Sequence, residues 1–168
     1  VRPMDVHLRL ENINRIVEEL CAFVEPELAQ HRIVIRRNFG GYIPKVLVDE
    51  NLIKQAVLNI VKNAMNAMEA GGGTLTVTTR LQQDHVALSI SDTGIGMSEQ
   101  TLAKIFEPYF TTKPTGSGLG LTMVFKVVKE HHGEINVVSH PGEGTTFTMV
   151  LPVPKSERMA IEDKGGQT

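Results

Sequence analysis

The chain has 168 residues, of which 41% are hydrophobic and 21% charged, and its formal net charge is −2. These values are ordinary for one globular domain, and a chain of this length can bury roughly 70% of its unfolded surface. The charge balance gives no support for nucleic-acid binding, which a basic stripe usually marks. No apolar run approaches the roughly 20 residues that span a bilayer, so we expect no membrane contact. The single cysteine, Cys21, lies on an apolar helical stripe, which predicts a buried core residue.

The first half of the chain alternates helical and strand patterns. The elements predicted there are a helix from about Asn12, strands over 32–38 and 45–48, and a long helix through Ala70. Pro26 should kink or end the first helix, because proline removes a backbone donor. Asp49 is placed to cap the second helix, which a glycine triplet then stops.

The second half is richer in strands. Its predicted elements are hairpin strands over 74–80 and 86–91, a short helix over 98–105, a long helix over 118–131, and strands over 134–139 and 145–151. Two long helices with mixed strands predict a two-layer α/β sandwich. The polar tail over 155–168 contains Gly165 and Gly166 near its end, which predicts disorder.

The long central helix carries a stripe of amides. Asn59 and Asn63 lie four residues apart and therefore share one face, which Gln55 extends by one more turn. An amide oxygen is a suitable neutral ligand for Mg²⁺, which prefers few protein oxygens together with water and substrate phosphates. A solvated helix face explains the same stripe equally well.

A glycine motif follows the second hairpin strand directly. Asp92 lies at the strand end, where a carboxylate can accept a hydrogen bond from the exocyclic amine of adenine. Gly94 and Gly96 allow backbone angles that other residues resist, so the chain can pass close to a flat base. A tight turn with a capping aspartate is the alternative interpretation. Thr145, which follows a hairpin turn, begins the last strand and can place its hydroxyl near Asp92.

A second glycine run leads into the next long helix. Glycines before a helix N-terminus expose backbone N–H groups, and the helix dipole adds positive potential, as in a phosphate cradle. Lys113, at the end of the preceding loop, would add a movable charge over the γ-phosphate; an ordinary loop lysine is the alternative. A flexible linker is the alternative for the glycines, but Leu119 and Leu121 argue against it.

In this order the motifs closely resemble the N, first glycine, F and second glycine boxes of bacterial sensor histidine kinases. The resemblance covers 12–154, and the matching segments are Asn59–Ala64, Asp92–Gly96, Ile105–Lys113 and Gly116–Leu121. It implies the Bergerat fold, a mixed β-sheet packed against helices, with ATP held beneath a mobile lid.

The resemblance also implies a role for each matching position. Asn63 is the implied Mg²⁺ ligand, and Asn59 and Lys113 are the implied catalytic residues near the γ-phosphate. Asp92 would accept from the adenine amine. The full set of implied ATP contacts is Asn59, Lys62, Asn63, Asp92, Gly94, Ile95, Gly96, Met97, Tyr109, Thr111, Thr112, Lys113, Gly116, Ser117, Gly118, Leu119, Gly120, Leu121 and Thr145.

One position separates two activities of this fold. Hydrolytic relatives, such as DNA gyrase, carry Glu where this chain has Asn59, and a carboxylate can activate water whereas an amide cannot. The amide therefore favours transfer to an acceptor, although some histidine kinases also carry an acid there. A hydrolytic ATPase and a non-catalytic ATP-binding regulatory module are the alternatives.

The phosphoacceptor of the family is missing. None of the six histidines is followed by an acidic residue, and His131 and His132 suit a capping role at a helix end. We therefore expect a piece of a longer kinase, with 1–11 as the exit from a dimerisation hairpin or a linker and 12–154 as the catalytic domain. The implied partners are the chain's own dimerisation and phosphoacceptor domain and a response regulator. The domain would be cytoplasmic and the whole kinase a homodimer, with membrane anchoring left open.

Overall fold

The structure, a computed structural model, describes residues 4–106 and 120–165. The strands are β1 (Arg9–Glu11), β2 (Ile33–Phe39), β3 (Val46–Val48), β4 (Gly73–Gln82), β5 (His85–Asp92), β6 (Glu134–His140) and β7 (Gly144–Pro152). The helices are α1 (Ile13–Gln30), α2 (Glu50–Ala67), α3 (Glu99–Leu102), α4 (Gly120–Glu130) and α5 (Lys155–Gly165). Within these ranges, no helix combines the length and the apolar character needed to cross a membrane.

Five strands form one mixed sheet in the order β2-β4-β5-β7-β6. Strands β2 and β4 are parallel, and the other neighbours are antiparallel. Alternate residues of β5 and β7, among them Leu88, Ile90 and Phe147, are buried in the core. The opposite face of these strands carries paired hydroxyls, such as Ser91 Oγ and Thr146 Oγ1 at 2.7 Å. The two-layer α/β sandwich predicted from the sequence is confirmed.

Apolar stripes hold the long helices against the sheet. Helix α1 buries Ile13, Val17 and Leu28, and its N-cap Asn12 accepts a hydrogen bond from the Asn14 N–H. Cys21 lies on the same stripe, and burial raises the pKa of its thiol to about 11. This confirms the prediction of a core cysteine. Exclusion from water of apolar stripes like this one is the main favourable term in folding.

The predicted cap of the central helix is also confirmed. Asp49 Oδ1 accepts a hydrogen bond from the Leu52 N–H at 3.2 Å, which satisfies one of the free donors of the first turn of α2. The helix ends at Ala67, three residues earlier than predicted, and Met68 closes it by donating its N–H to the Ala64 carbonyl.

Two predictions were wrong: the end of α1 at Pro26, which was one of two alternatives for that proline, and the disordered tail. Helix α1 does not end at Pro26 but continues to Gln30, because Val24 and Leu28 anchor it in the core on both sides of the proline. Residues 155–165 form α5 rather than a disordered tail, since Arg158 Nε donates to the Val153 carbonyl at 2.9 Å and α5 packs an apolar side chain against the core.

The N-terminal segment is more ordered than a linker. The sequence analysis missed β1, which lies within the predicted linker over 1–11 and pairs antiparallel with β3. Three residues are too few to show a periodic pattern, so this strand depends on its partner strand for its conformation.

Candidate functional site

One face of α2 forms the floor of the site. Asn59, Asn63 and Ala67 lie four residues apart and therefore share that face. At one end, Asn59 Nδ2 lies 3.5 Å from the carbonyl of Gly120, the first residue of α4. At the other end, the Ala67 carbonyl accepts a hydrogen bond from the Ile95 N–H at 3.0 Å. Asn63 is therefore placed between the start of α4 and the first glycine motif.

Asp92 is a buried carboxylate at the end of β5. Its side chain is 5% exposed, and its Oδ1 accepts two backbone hydrogen bonds, from the Gly94 N–H at 2.8 Å and the Thr145 N–H at 3.3 Å. No described residue donates a hydrogen bond to Oδ2. One oxygen thus fixes the loop and the last strand, and the other oxygen remains for a ligand that carries a donor.

Burial raises the pKa of Asp92 above its usual range, and the two backbone donors from Gly94 and Thr145 offset only part of this effect. A carboxylate in such a position gains from any further donor that replaces lost hydration. An amine at Oδ2 would supply that donor.

The glycines of the first motif are required by the protein's own backbone. A Cβ on Gly94 would lie 2.5 Å from the Ala67 carbonyl oxygen, and one on Gly96 would lie 2.0 Å from the His140 carbonyl oxygen. Gly96 also has a φ of 68°, in the left-handed region that favours glycine. In the structure these glycines let the loop pack between α2 and the β6–β7 turn, and the close approach of a base expected from the sequence stays a prediction.

Thr145 lies beside Asp92 as predicted, but a different group makes the contact. Its backbone N–H reaches Asp92, whereas its hydroxyl lies 2.8 Å from Ser139 Oγ. Ser139 also accepts a hydrogen bond from the Met97 N–H at 2.8 Å. The sequence analysis missed Ser139, although one signal was present: it is polar and lies in register with Ile135 and Val137 on the inward face of β6.

The start of α4 suits an anion. The first N–H groups of a helix have no partners within it, and the helix dipole favours negative charge there. Among the described residues, a Cβ on Gly120 would lie in ordinary contact with the Asn59 side chain, at 3.7 Å, so packing against these residues does not require a glycine there. Leu121 packs against the core and fixes the orientation of this first turn.

Three further predicted residues lie in the described part of the chain. Lys62 is exposed on α2, Ile95 is 68% exposed, and Met97 packs partly buried against the core. The remaining predicted contacts lie outside the described residues; they are Tyr109, Thr111, Thr112, Lys113, Gly116, Ser117, Gly118 and Leu119.

This fold and this site define a class of nucleotide-binding domain. A family model described as histidine kinase-, DNA gyrase B- and HSP90-like ATPase matches residues 48–155, more than half of the chain. The chain belongs to this family. Within the family it is similar to the ATP-binding catalytic domains of histidine kinases, which confirms the resemblance predicted from the motifs.

Two relatives illustrate that likeness. Sporulation kinase E of Bacillus subtilis is 35% identical over 163 residues, which cover 97% of this chain and 22% of the relative. The signal transduction histidine-protein kinase AtoS of Escherichia coli is 36% identical over 152 residues, covering 90% and 25%. The chain therefore spans about a quarter of the length of these relatives.

Solved structures agree. Full-length ShkA in complex with AMPPNP superposes with a TM-score of 0.78 at 28% identity, covering 90% of this chain and 32% of that one. Histidine kinase ThkA in complex with the response regulator TrrA superposes with a TM-score of 0.76 at 25% identity, covering 91% and 44%.

We predict that Asp92→Asn weakens ATP binding. In the variant, the side-chain amide oxygen can still accept both backbone hydrogen bonds. The NH₂ group then takes the place of Oδ2, so it and the adenine amine, both donors, face each other. The expected loss is roughly 1.5–3 kcal/mol, measured by calorimetric titration. Asp84→Asn is the matched control, because Asp84 lies in the turn at the opposite end of β5. Unchanged ATP affinity in Asp92→Asn would remove the adenine assignment.

The raised pKa of Asp92 also predicts a pH-dependent stability difference. The folded chain binds the Asp92 proton more tightly than the unfolded chain, so the charge of Asp92 destabilises the fold as the pH rises above the usual aspartate range. In Asp92→Asn the side chain stays uncharged, so the free energy of unfolding does not decrease with pH for this reason. The free energy of unfolding of the variant minus that of the wild type should therefore increase from about pH 4 upwards and then level off. Urea unfolding at several pH values measures it, and a constant or decreasing difference would contradict the prediction.

Proposed function

We propose that this domain transfers the γ-phosphoryl group of Mg·ATP to a histidine on a separate dimerisation domain. The observation that supports the proposal most is the contact of the Asn59 side-chain amide with Gly120, the first residue of α4, where phosphate would lie. A neutral amide at this position can orient phosphate, but it cannot take a proton from water as a carboxylate does. The site therefore favours transfer to an acceptor over hydrolysis.

The proposed chemistry is mainly positioning. Asp92 Oδ2 would hold the adenine amine, and the first N–H groups of α4 would face the phosphates. Asn63, one turn after Asn59 on the same face, would donate its amide oxygen to Mg²⁺. When bound, Mg²⁺ would supply charge neutralisation on the phosphates, which is a large part of catalysis in phosphoryl transfer. Lys113 and Tyr109 are proposed to contribute from the lid.

The proposed partners follow from the relatives. The acceptor would be the chain's own dimerisation domain, and the phosphoryl group would then pass to a response regulator. The complex of ThkA with TrrA supports this second partner. The whole kinase is proposed to be a homodimer.

A paired assay with labelled Mg·ATP tests the proposal. The chain is incubated alone and with a separately produced acceptor hairpin from a histidine kinase of known sequence. We expect acid-labile label on the hairpin and little free phosphate from the chain alone. Steady phosphate release with no labelled protein would instead indicate a hydrolytic ATPase and require a general base other than Asn59.

We also predict that Asn63→Ala weakens Mg·ATP more than metal-free ADP. The reason is that the amide oxygen would bind the metal and not the base, and losing a group at a metal site typically costs roughly tenfold or more. Calorimetric titration with both ligands measures the two losses. Asn51→Ala is the matched control, since Asn51 is an exposed amide in the first turn of the same helix. Equal losses for both ligands would exclude Asn63 as the metal ligand.

A further inference from the structure

His131 is a buried histidine that joins the two helices of the site at their far ends. It is 2% exposed and follows the last residue of α4. Its Nε2 accepts a hydrogen bond from the Asp49 N–H at 2.9 Å, and its Nδ1 lies 2.7 Å from the Val127 carbonyl oxygen. These partners assign the proton to Nδ1, because a carbonyl can only accept and an N–H can only donate. Both ring nitrogens are therefore hydrogen-bonded.

Asp49 connects three parts of the chain at this point. It precedes α2 and caps it, and its Oδ2 accepts a hydrogen bond from the His7 N–H at 3.0 Å. Burial alone would raise the pKa of Asp49, but backbone hydrogen bonds from His7, Leu52 and Asn51 and the nearby His131 lower it, and the pKa lies below its usual value. The carboxylate is therefore charged and fixed, and its own backbone N–H is directed at His131.

Helices α2 and α4 run antiparallel, and α4 is joined to α2 at both of its ends. The start of α2 meets the end of α4 through Asp49 and His131, and Asn59 meets Gly120 at the other end. Ten residues separate Asp49 from Asn59, which is about 15 Å along a helix. A change of angle at the His131 end therefore becomes a displacement of Gly120 relative to the amide face of α2.

We propose that His131 is a positioning residue of the nucleotide site. By accepting the Asp49 N–H, it sets the crossing of α2 and α4 and so keeps the first turn of α4 at the correct distance from Asn59 and Asn63. It touches no ligand itself. The adenine subsite around Asp92 is held by sheet hydrogen bonds, so His131 acts on the phosphate and metal end. This inference rests on the proposed function.

Two variants separate the bond to Asp49 from the bond within α4. In His131→Asn the short amide can still donate to the Val127 carbonyl, but it does not reach Asp49. In His131→Gln the longer side chain can place its oxygen where Nε2 lies and accept the Asp49 N–H. His132→Asn is the matched control, because His132 is the exposed neighbour with a φ of 58°, a conformation that asparagine tolerates.

The affinities of the whole chain for Mg·ATP and for metal-free ADP are measured by calorimetry for these variants. We expect His131→Asn to weaken Mg·ATP roughly fivefold or more, a usual size for coupling between sites, and ADP clearly less. His131→Gln should recover most of the Mg·ATP affinity, and His132→Asn should equal the wild type. The proposal would be overturned if folded His131→Asn kept the wild-type affinity for Mg·ATP. It would also be overturned if His131→Asn and His131→Gln each lost affinity for Mg·ATP and for metal-free ADP equally.

A second measurement uses the wild type alone and does not depend on whether a variant folds. Because coupling is reciprocal, Mg·ATP should slow hydrogen exchange of the Asp49 amide more than ADP does. Equal exchange with both ligands would overturn the positioning role. A wild type that binds ADP and Mg·ATP but labels no acceptor would contradict the proposed phosphotransfer while leaving this test of positioning intact.

Discussion

The four-residue spacing along one face of α2 is the constraint on which the site depends. That face contacts the start of α4 through Asn59 and the first glycine motif through the Ala67 carbonyl, and Asn63 lies between them. Eight residues of helix separate the two contacts, on the order of 12 Å. Because a helix holds its length, the two ends of the site keep a fixed separation. The packing of α2 on the sheet thus determines where phosphate and base subsites lie relative to each other.

Asp92 shows how this fold accepts a cost in stability for the sake of binding. A buried carboxylate with no cation beside it among the described residues is unfavourable, and the raised pKa of Asp92 expresses that cost. Two backbone donors reduce it, both at Oδ1, so the loop is held without using the second oxygen. An apolar residue would pack better there but could not receive an amine. The residue that holds the loop is also the one that would read the base.

Local patterns predicted most of the fold, and long-range contacts account for what they missed. The hairpin of β4 and β5, the Asp49 cap and the core position of Cys21 follow from periodicity and capping, which involve neighbours in sequence. Strand β1 depends on β3, which lies far along the chain, and helix α5 depends on packing of Ile161 against the core, so neither was evident from local pattern. In the site, Asn59, Asn63 and Asp92 were predictable from motifs. The contacts of Ser139 were not predicted, and His131 was predicted as a helix cap but not as the acceptor for Asp49, because these partners come near only in the folded chain.

The two ends of the site rest on different kinds of support. The end at Asp92 is fixed by backbone hydrogen bonds to β7 and by glycines pressed against other carbonyls, an arrangement with little room to shift. The end at Gly120 is fixed by helix packing and by one amide contact at 3.5 Å, which is weak by geometry. Small changes in helix crossing would therefore act on the proposed phosphate end and leave the proposed base end in place. Such a site would hold its nucleotide by the adenine while the reacting end is adjusted, and the N-terminal segment contacts that end of the helix pair through Asp49.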